Sequence, residues 1–375
     1  MRLVDPKAGR NIGLFSIAAF VVVALVIGQG VFDFAGALRG VSKATVSSPT
    51  PSPVPVTTPT PPPTSTAQPS PTSTAAPSTP TQTATATPFL TETIGLRRSF
   101  NQRPVAVMID NLPDARPHSG MSEADVVYEA VTEGGITRFM AVFGDAEANV
   151  VGPVRSARHY FIYWASEYDA IYLHAGASPQ GYDAADAIGL TRLDFTYGQG
   201  VYWRTSDRWA PHNLYTSIGR SRQLIAEAGR GHLGPLDFKE EAPSPGLATV
   251  DVTYPDGYRV TYEYRTSDND FLRYMQRQPH IDAASGVQYH PKSVVVQFVN
   301  TWRIPGDTAG RVDMTLLGSG PAYFILDGKA IEGSWRKDAL TSPTIFLDKR
   351  GKRVLLNLGQ TWIQVVPAEG SVRLQ

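Results

Sequence analysis

Asp125-Val-Val-Tyr-Glu-Ala-Val-Thr132 and Thr137-Arg-Phe-Met-Ala-Val-Phe143 are two strand-like runs separated by a short segment containing Gly134-Gly135. Runs rich in Val and aromatic residues, joined through glycines that tolerate positive φ, predict a β-hairpin. Upstream, Pro104-Val-Ala-Val-Met-Ile109 has no charged residue and reads as a buried strand. Ala170-Ile-Tyr-Leu173 reads as another. Between these strands, Ser156 to Tyr168 predicts a helix with Tyr160, Phe161 and Trp164 turned inward. Pro179 to Ile188 and Thr216 to Ala228 also read as helices, each followed by a stop glycine, Gly189 and Gly229. This half of the chain is a mixed α/β pattern.

Downstream the pattern changes. Thr249–Tyr254 and Tyr258–Tyr264 flank Asp256-Gly257, and Ala322–Leu326 and Ala330–Trp335 flank Asp327-Gly328. Asp-Gly between alternating runs predicts antiparallel hairpins. Val294–Val299, Val312–Leu317, Val354–Leu356 and Thr361–Val366 continue the series, and no helix is expected after about residue 280. The join falls between Gly229 and Gly246. From Leu96 to Phe238 the basic residues are all Arg, and Lys returns at Lys239.

The N-terminal quarter is different again. Ile12 to Phe32 carries no charge, is preceded by Arg2, Lys7 and Arg10, and would span about 31 Å as a helix. This predicts a signal anchor with residues 1–11 in the cytoplasm and the remainder outside. A cleaved signal peptide stays open, because Ala35-Gly36-Ala37 has the small-x-small form of a peptidase site. Residues 44–93 are Pro, Thr, Ser and Ala with little else, and cannot bury enough surface to offset chain entropy. A disordered linker is expected. The fold class expected overall is α+β. A membrane helix and a Pro/Ser/Thr-rich stalk come first, then a mixed α/β domain over 97–238 and a mainly antiparallel β domain over 247–368.

Composition removes several functions. There is no cysteine, hence no disulfide, Cys-ligated zinc, iron–sulfur cluster or Cys nucleophile. Lys+Arg and Asp+Glu are 34 each, which argues against nucleic acid as a partner. No G-x-S-x-G, H-E-x-x-H, Walker loop or S-x-x-K catalytic set is present. No cofactor and no metal site are expected. The partners expected are the membrane, through the first helix, and a cell-wall glycan, anionic polymer or envelope protein.

The densest polar constellation is Gly152-Pro-Val-Arg-Ser-Ala-Arg-His159. If the helix begins there, Arg155, Arg158 and His159 share one face of its first turn, beside free amides that attract anions. A phosphate or carboxylate site is one reading. Internal pairing of the arginines with a carboxylate such as Glu129 or Glu133 is the other. Asp110-Asn111, His174 and His212-Asn213 fall where strands end or loops turn, and His118 sits in a loop rich in turn formers. In α/β sheets, sites gather at the carboxyl ends of strands. Asp110, His174 and His212 are thus the catalytic candidates, with Ser156 or Ser178 as nucleophile. Arg155, Arg158, His159, Asn111 and Asn213 are the ligand-binding candidates. Trp302, Trp335 and Trp362 read either as core or as a platform for glycan or peptide.

These residues also carry a family resemblance. Arg103-Pro-Val-Ala-Val-Met-Ile-Asp-Asn111, Tyr128-Glu-Ala-x-x-Glu-Gly-Gly-Ile-Thr-Arg-Phe139, Gly152-Pro-Val-Arg-Ser-Ala-Arg158, His174-Ala-Gly and Pro211-His-Asn-Leu-Tyr-Thr216 resemble the YerB-like family. Gly318-Ser-Gly320, Trp335-Arg-Lys337 and Asn357-Leu-Gly-Gln-Thr-Trp362 are similar to its C-terminal part. The resemblance covers about residues 100–368. It implies a bacterial envelope protein with a two-part α+β ectodomain, and it brings no catalytic residue. Many members are lipoproteins, whereas this chain has no cysteine to lipidate.

Overall fold

The computed structural model describes residues 100–225 and 234–375, apart from residue 199. The expected cytoplasmic N-terminus at 1–11, the expected anchor at 12–32 and the expected linker at 44–93 lie outside these residues. No helix among the described residues is long and apolar enough to cross a membrane.

The decisive stretch folds as expected. β1 (Val105–Asp110), β2 (Val126–Val131) and β3 (Thr137–Phe143) are buried along their whole length. β2 and β3 pair antiparallel and close through a single 3-10 turn, with Gly134 and Gly135 both at positive φ. β1 lies antiparallel to β3 and parallel to β4 (Ile171–His174), which in turn pairs parallel with β5 (Arg192–Asp194).

The helix expected from Ser156 begins only at His159 and runs to Ser166. Residues 154–158 are held extended by the sheet: Val154 N donates to Leu214 O, Arg155 N to Met108 O and Ala175 N to Arg155 O. Arg158 has β-region dihedrals. Those backbone bonds compete with the first helical turn and win. The helix Pro179–Ala187 matches its expected range, with Ser178 as its N-cap. Thr216 belongs to the strand Leu214–Thr216, and the next helix covers Ile218–Leu224.

Downstream, Asp327 and Gly328 both take positive φ between the paired strands Gly318–Leu326 and Lys329–Lys337, as a type I′ hairpin requires. No helix follows residue 280 among the described residues. The antiparallel expectation holds for the five-stranded sheet running Gln278–Pro279, Asp270–Met275, Arg259–Arg265, Thr249–Thr253, Ser371–Leu374. It fails at Thr361–Pro367, which is parallel to both of its neighbours, Ser293–Val299 and β2. That strand is buried at every position, the mark of a central strand covered on both faces. A ten-stranded sheet results, in the order 345–348, 329–337, 318–326, 293–299, 361–367, β2, β3, β1, β4, β5. The two sequence segments therefore share one sheet.

Side-chain alternation along β2 sets the layers. Tyr128 faces the helix, stacking on Trp164 with centroids 5.2 Å apart. Glu129 faces the five-stranded sheet, where Arg273 Nη2 meets it at 2.6 Å. Trp335 and Trp362 are core residues, so no platform forms from the three predicted tryptophans. Trp302 is exposed.

Candidate functional site

β1 ends at Asp110, and what gathers on that carboxylate is the candidate site. Asp110 is buried. Its Oδ1 accepts from Leu112 N at 3.1 Å. Its Oδ2 lies 2.8 Å from His212 Nδ1 and 3.3 Å from Arg155 Nε. A carboxylate only accepts, so the Nδ1 of His212 is the donor and its Nε2 carries the lone pair in the neutral ring. Neither that Nε2 nor the terminal nitrogens of Arg155 make a hydrogen bond among the described residues. The side chains of His212 and Arg155 keep 15% and 23% of their surface exposed, against 1% for Asp110.

Local structure fixes both partners. Arg155 follows Val154, which bridges Ile109 next to Asp110. His212 closes a turn, its N donating to Trp209 O at 2.9 Å. Asn213 locks the loop behind it, with Oδ1 taking Arg204 Nη1 and Nδ2 donating to Thr205 O and Arg208 O. Arg208 ties the loop to the Ala115 and Pro117 carbonyls. The three cis peptide bonds found among the described residues, Arg116–Pro117, Gly152–Pro153 and Ala210–Pro211, lie in or beside these segments.

The other predicted residues are elsewhere engaged. Arg158 donates to Glu133 through Nε, at 3.0 Å, and Nη2, and Arg138 Nη2 reaches the same carboxylate at 2.7 Å. Burial alone would raise the Glu133 carboxyl, but the two guanidinium groups outweigh it and hold it at about 2. Arg158 is thus paired internally, with Glu133 of the two carboxylates considered. His159 Nε2 sits 2.7 Å from Asp313 Oδ1, apart from Arg155, so the three-residue anion face at a helix start does not form. His174 is buried with Nδ1 on Gly176 O at 2.9 Å, and burial lowers its pKa despite nearby Asp194. Asn111 is consumed by Thr137, Tyr258 and Arg116, and Asn213 by its loop. Ser178 Oγ accepts from Gly181 N, and neither it nor Ser156 hydrogen-bonds His212. Among the described residues no group of three or more His, Cys, Asp or Glu is placed to hold a metal.

Two features were missed. The first is the chain Glu129–Arg273–His280–His118, wholly buried between the sheets. Strand parity carried its signal, since Arg273 shares the buried face with Phe271 and Met275. The second is Trp209, at 90% the most exposed large hydrophobic side chain among the described residues. Sequence gave no signal for it beyond its place three residues before His212.

Residues 90–231 match the N-terminal domain, and residues 250–363 the C-terminal domain, of a family described as protein of unknown function, DUF3048. The chain belongs to the DUF3048 family. A relative named "Putative lipoprotein YerB", from Bacillus subtilis (strain 168), is 32% identical over 277 residues, covering 71% of this chain and 82% of that protein. The crystal structure of the Bacillus subtilis YerB protein resembles this fold with a TM-score of 0.65 at 30% identity, over 72% of this chain and 94% of that one. The resemblance read from the motifs holds in both segments. In this DUF3048 protein the two matched segments contribute adjacent strands to one sheet.

Proposed function

We propose that this DUF3048 protein is an extracytoplasmic binding module of the bacterial envelope that takes an anionic ligand at Arg155 and His212. The observation behind this is one of unmet capacity. Asp110 is buried and fully engaged, while the terminal nitrogens of Arg155 are free to donate and the His212 Nε2 is open, an acceptor in the neutral ring and a donor once the ring is protonated. A guanidinium fork beside an oriented imidazole suits a carboxylate or phosphate. The lipoprotein name of the relative and the apolar run at 12–32 support a membrane-bound location, here through a single-pass helix with the folded part outside. A wall glycan, an anionic wall polymer or an envelope protein could supply the anionic group.

The test is a calorimetric titration of the full chain in mild detergent with phosphate and acetate, repeated on Arg155→Ala and His212→Ala. Saturating ligand at 100 times Kd should add about 2.7 kcal/mol of stability, and both variants should weaken binding about tenfold or more. Equal binding by Arg155→Ala would sink the assignment.

One arrangement favours a second reading, an envelope hydrolase or transferase. A buried carboxylate on Nδ1 and an open Nε2 is how a general base is oriented. In that case His212→Asn abolishes turnover of an anionic substrate while leaving its binding largely intact. Loss of binding alone would favour the first reading.

A further inference from the structure

The structure points to the chemical class of the ligand, an inference that rests on the anion site at Arg155 and His212. We propose that the ligand is a sugar bearing a carboxylate or phosphate, with Trp209 as the flat surface on which its ring lies.

Three observations carry this. Trp209 is 90% exposed, while Trp164, Trp335 and Trp362 are buried and Trp203 lies under Arg220 at 5.2 Å. The loop holding it is pinned by five hydrogen bonds: Arg208 to Ala115 O and Pro117 O, Asn213 to Thr205 O and Arg208 O, Arg204 to Asn213. So the exposed ring sits on a fixed support. The turn from Trp209 to His212 is closed by His212 N on Trp209 O. A four-residue turn brings its end Cα atoms within about 7 Å. An apolar plate and an open imidazole nitrogen thus stand one turn apart, with the Arg155 fork on the same Asp110 Oδ2 as the imidazole.

A bare anion would use Arg155 and His212 and ignore the plate. A purely apolar ligand would leave the fork unmet. A pyranose has an apolar C–H face that covers an indole ring and hydroxyls at its rim that keep it in water, and an acidic substituent reaches the fork. Trp presents large area at little conformational cost.

The experiment titrates the full chain in mild detergent with glucuronic acid, glucose 6-phosphate, glucose, acetate and phosphate. Wild type, Trp209→Ala, Trp209→Phe and Arg155→Ala are compared, with thermal midpoints as a fold check. At least one acidic sugar should bind tenfold or more tighter than glucose and than its matching bare anion. Trp209→Ala should remove that advantage and leave acetate and phosphate affinity unchanged, and Trp209→Phe should keep part of it. The preferred acid, carboxylate or phosphate, is read from the two sugar arms. Equal affinity of Trp209→Ala and wild type for the acidic sugars overturns the proposal. Bare anions that bind through Arg155, with no gain from the sugar, overturn it and leave the anion site standing. Anions and acidic sugars that do not bind, or bind equally to Arg155→Ala, overturn both.

Discussion

Two of the arginine–carboxylate pairs in this molecule, Arg273–Glu129 between the sheets and Arg155–Asp110 at the end of β1, have opposite characters. Arg273 and Glu129 are both wholly inaccessible to solvent. Glu129 Oε1 takes Thr137 Oγ1 at 2.7 Å, Arg273 Nε donates to Tyr262 OH, and the guanidinium lies 4.3 Å over the Trp362 ring. Arg273 Nη1 meets His280 Nδ1, and His280 Nε2 lies 2.9 Å from His118 Nδ1. Arginine cannot accept, so the Nδ1 of His280 must, and each neutral ring then carries its proton on Nε2. Here the charge is consumed by the fold. Arg155 is tethered by one edge and its remaining nitrogens are uncommitted. The comparison teaches that pairing does not mark a site, whereas hydrogen-bonding capacity left over after pairing does.

The largest effect that would break the comparison is on stability. Glu129→Ala leaves a buried guanidinium without its counter-charge and should lower unfolding free energy by about 3–5 kcal/mol in urea titrations. A loss under about 1 kcal/mol would mean that the buried pair is no more structural than the open one.

Acid titration comes next. Burial, reinforced by Arg116 and Arg273, lowers His118 to about 3, and burial followed by Arg273 lowers His280 well below its ordinary value. The unfolded chain, with histidines near 6.5, then binds more protons than the folded one. The associated stability is fully present above about pH 6.5 and is lost as pH falls toward 3, at up to about 1.4 kcal/mol per pH unit for each histidine. Glu133, held at about 2, adds a loss of the same sign between 4.5 and 2. Urea midpoints that stay flat from pH 7 to 4 would contradict neutral buried rings.

Arg155→Ala should do the reverse of Glu129→Ala. Binding of phosphate or acetate should fall about tenfold while stability changes by less than about 1 kcal/mol, since the pair is partly solvated. The smallest effect sharpens the aromatic side of the argument. Trp302→Ser, at a residue 45% exposed and remote in sequence from the cluster, should alter stability by about 0.5 kcal/mol or less and leave anion affinity unchanged.

Much of the α+β fold was legible because its signals are local. Valine-rich runs, Gly134-Gly135, Asp256-Gly257 and Asp327-Gly328 gave strands and turns directly. The start of the first helix was not, because Gly152–Arg158 is held extended by Met108, Ala175 and Leu214, partners dispersed along the chain. Asp110, Arg155 and His212 were each visible as candidates at strand or loop positions. That Arg158, His159 and His174 separate from them depends on Glu133, Asp313 and Gly176, which sequence alone could not rank. The parallel placement of Thr361–Pro367 has no local signal, since parallel pairing is chosen by topology and not by turn residues.

That last strand bears on how the protein is made. β2 and Ser293–Val299 flank a slot that Thr361–Pro367 fills, so a chain emerging N-terminus first holds two unpaired inner edges until residues 361–367 arrive. A stop before residue 361 is then felt in the first half, at the hairpin of β2 and β3 that carries Arg138 and Glu133 and lies beside β1.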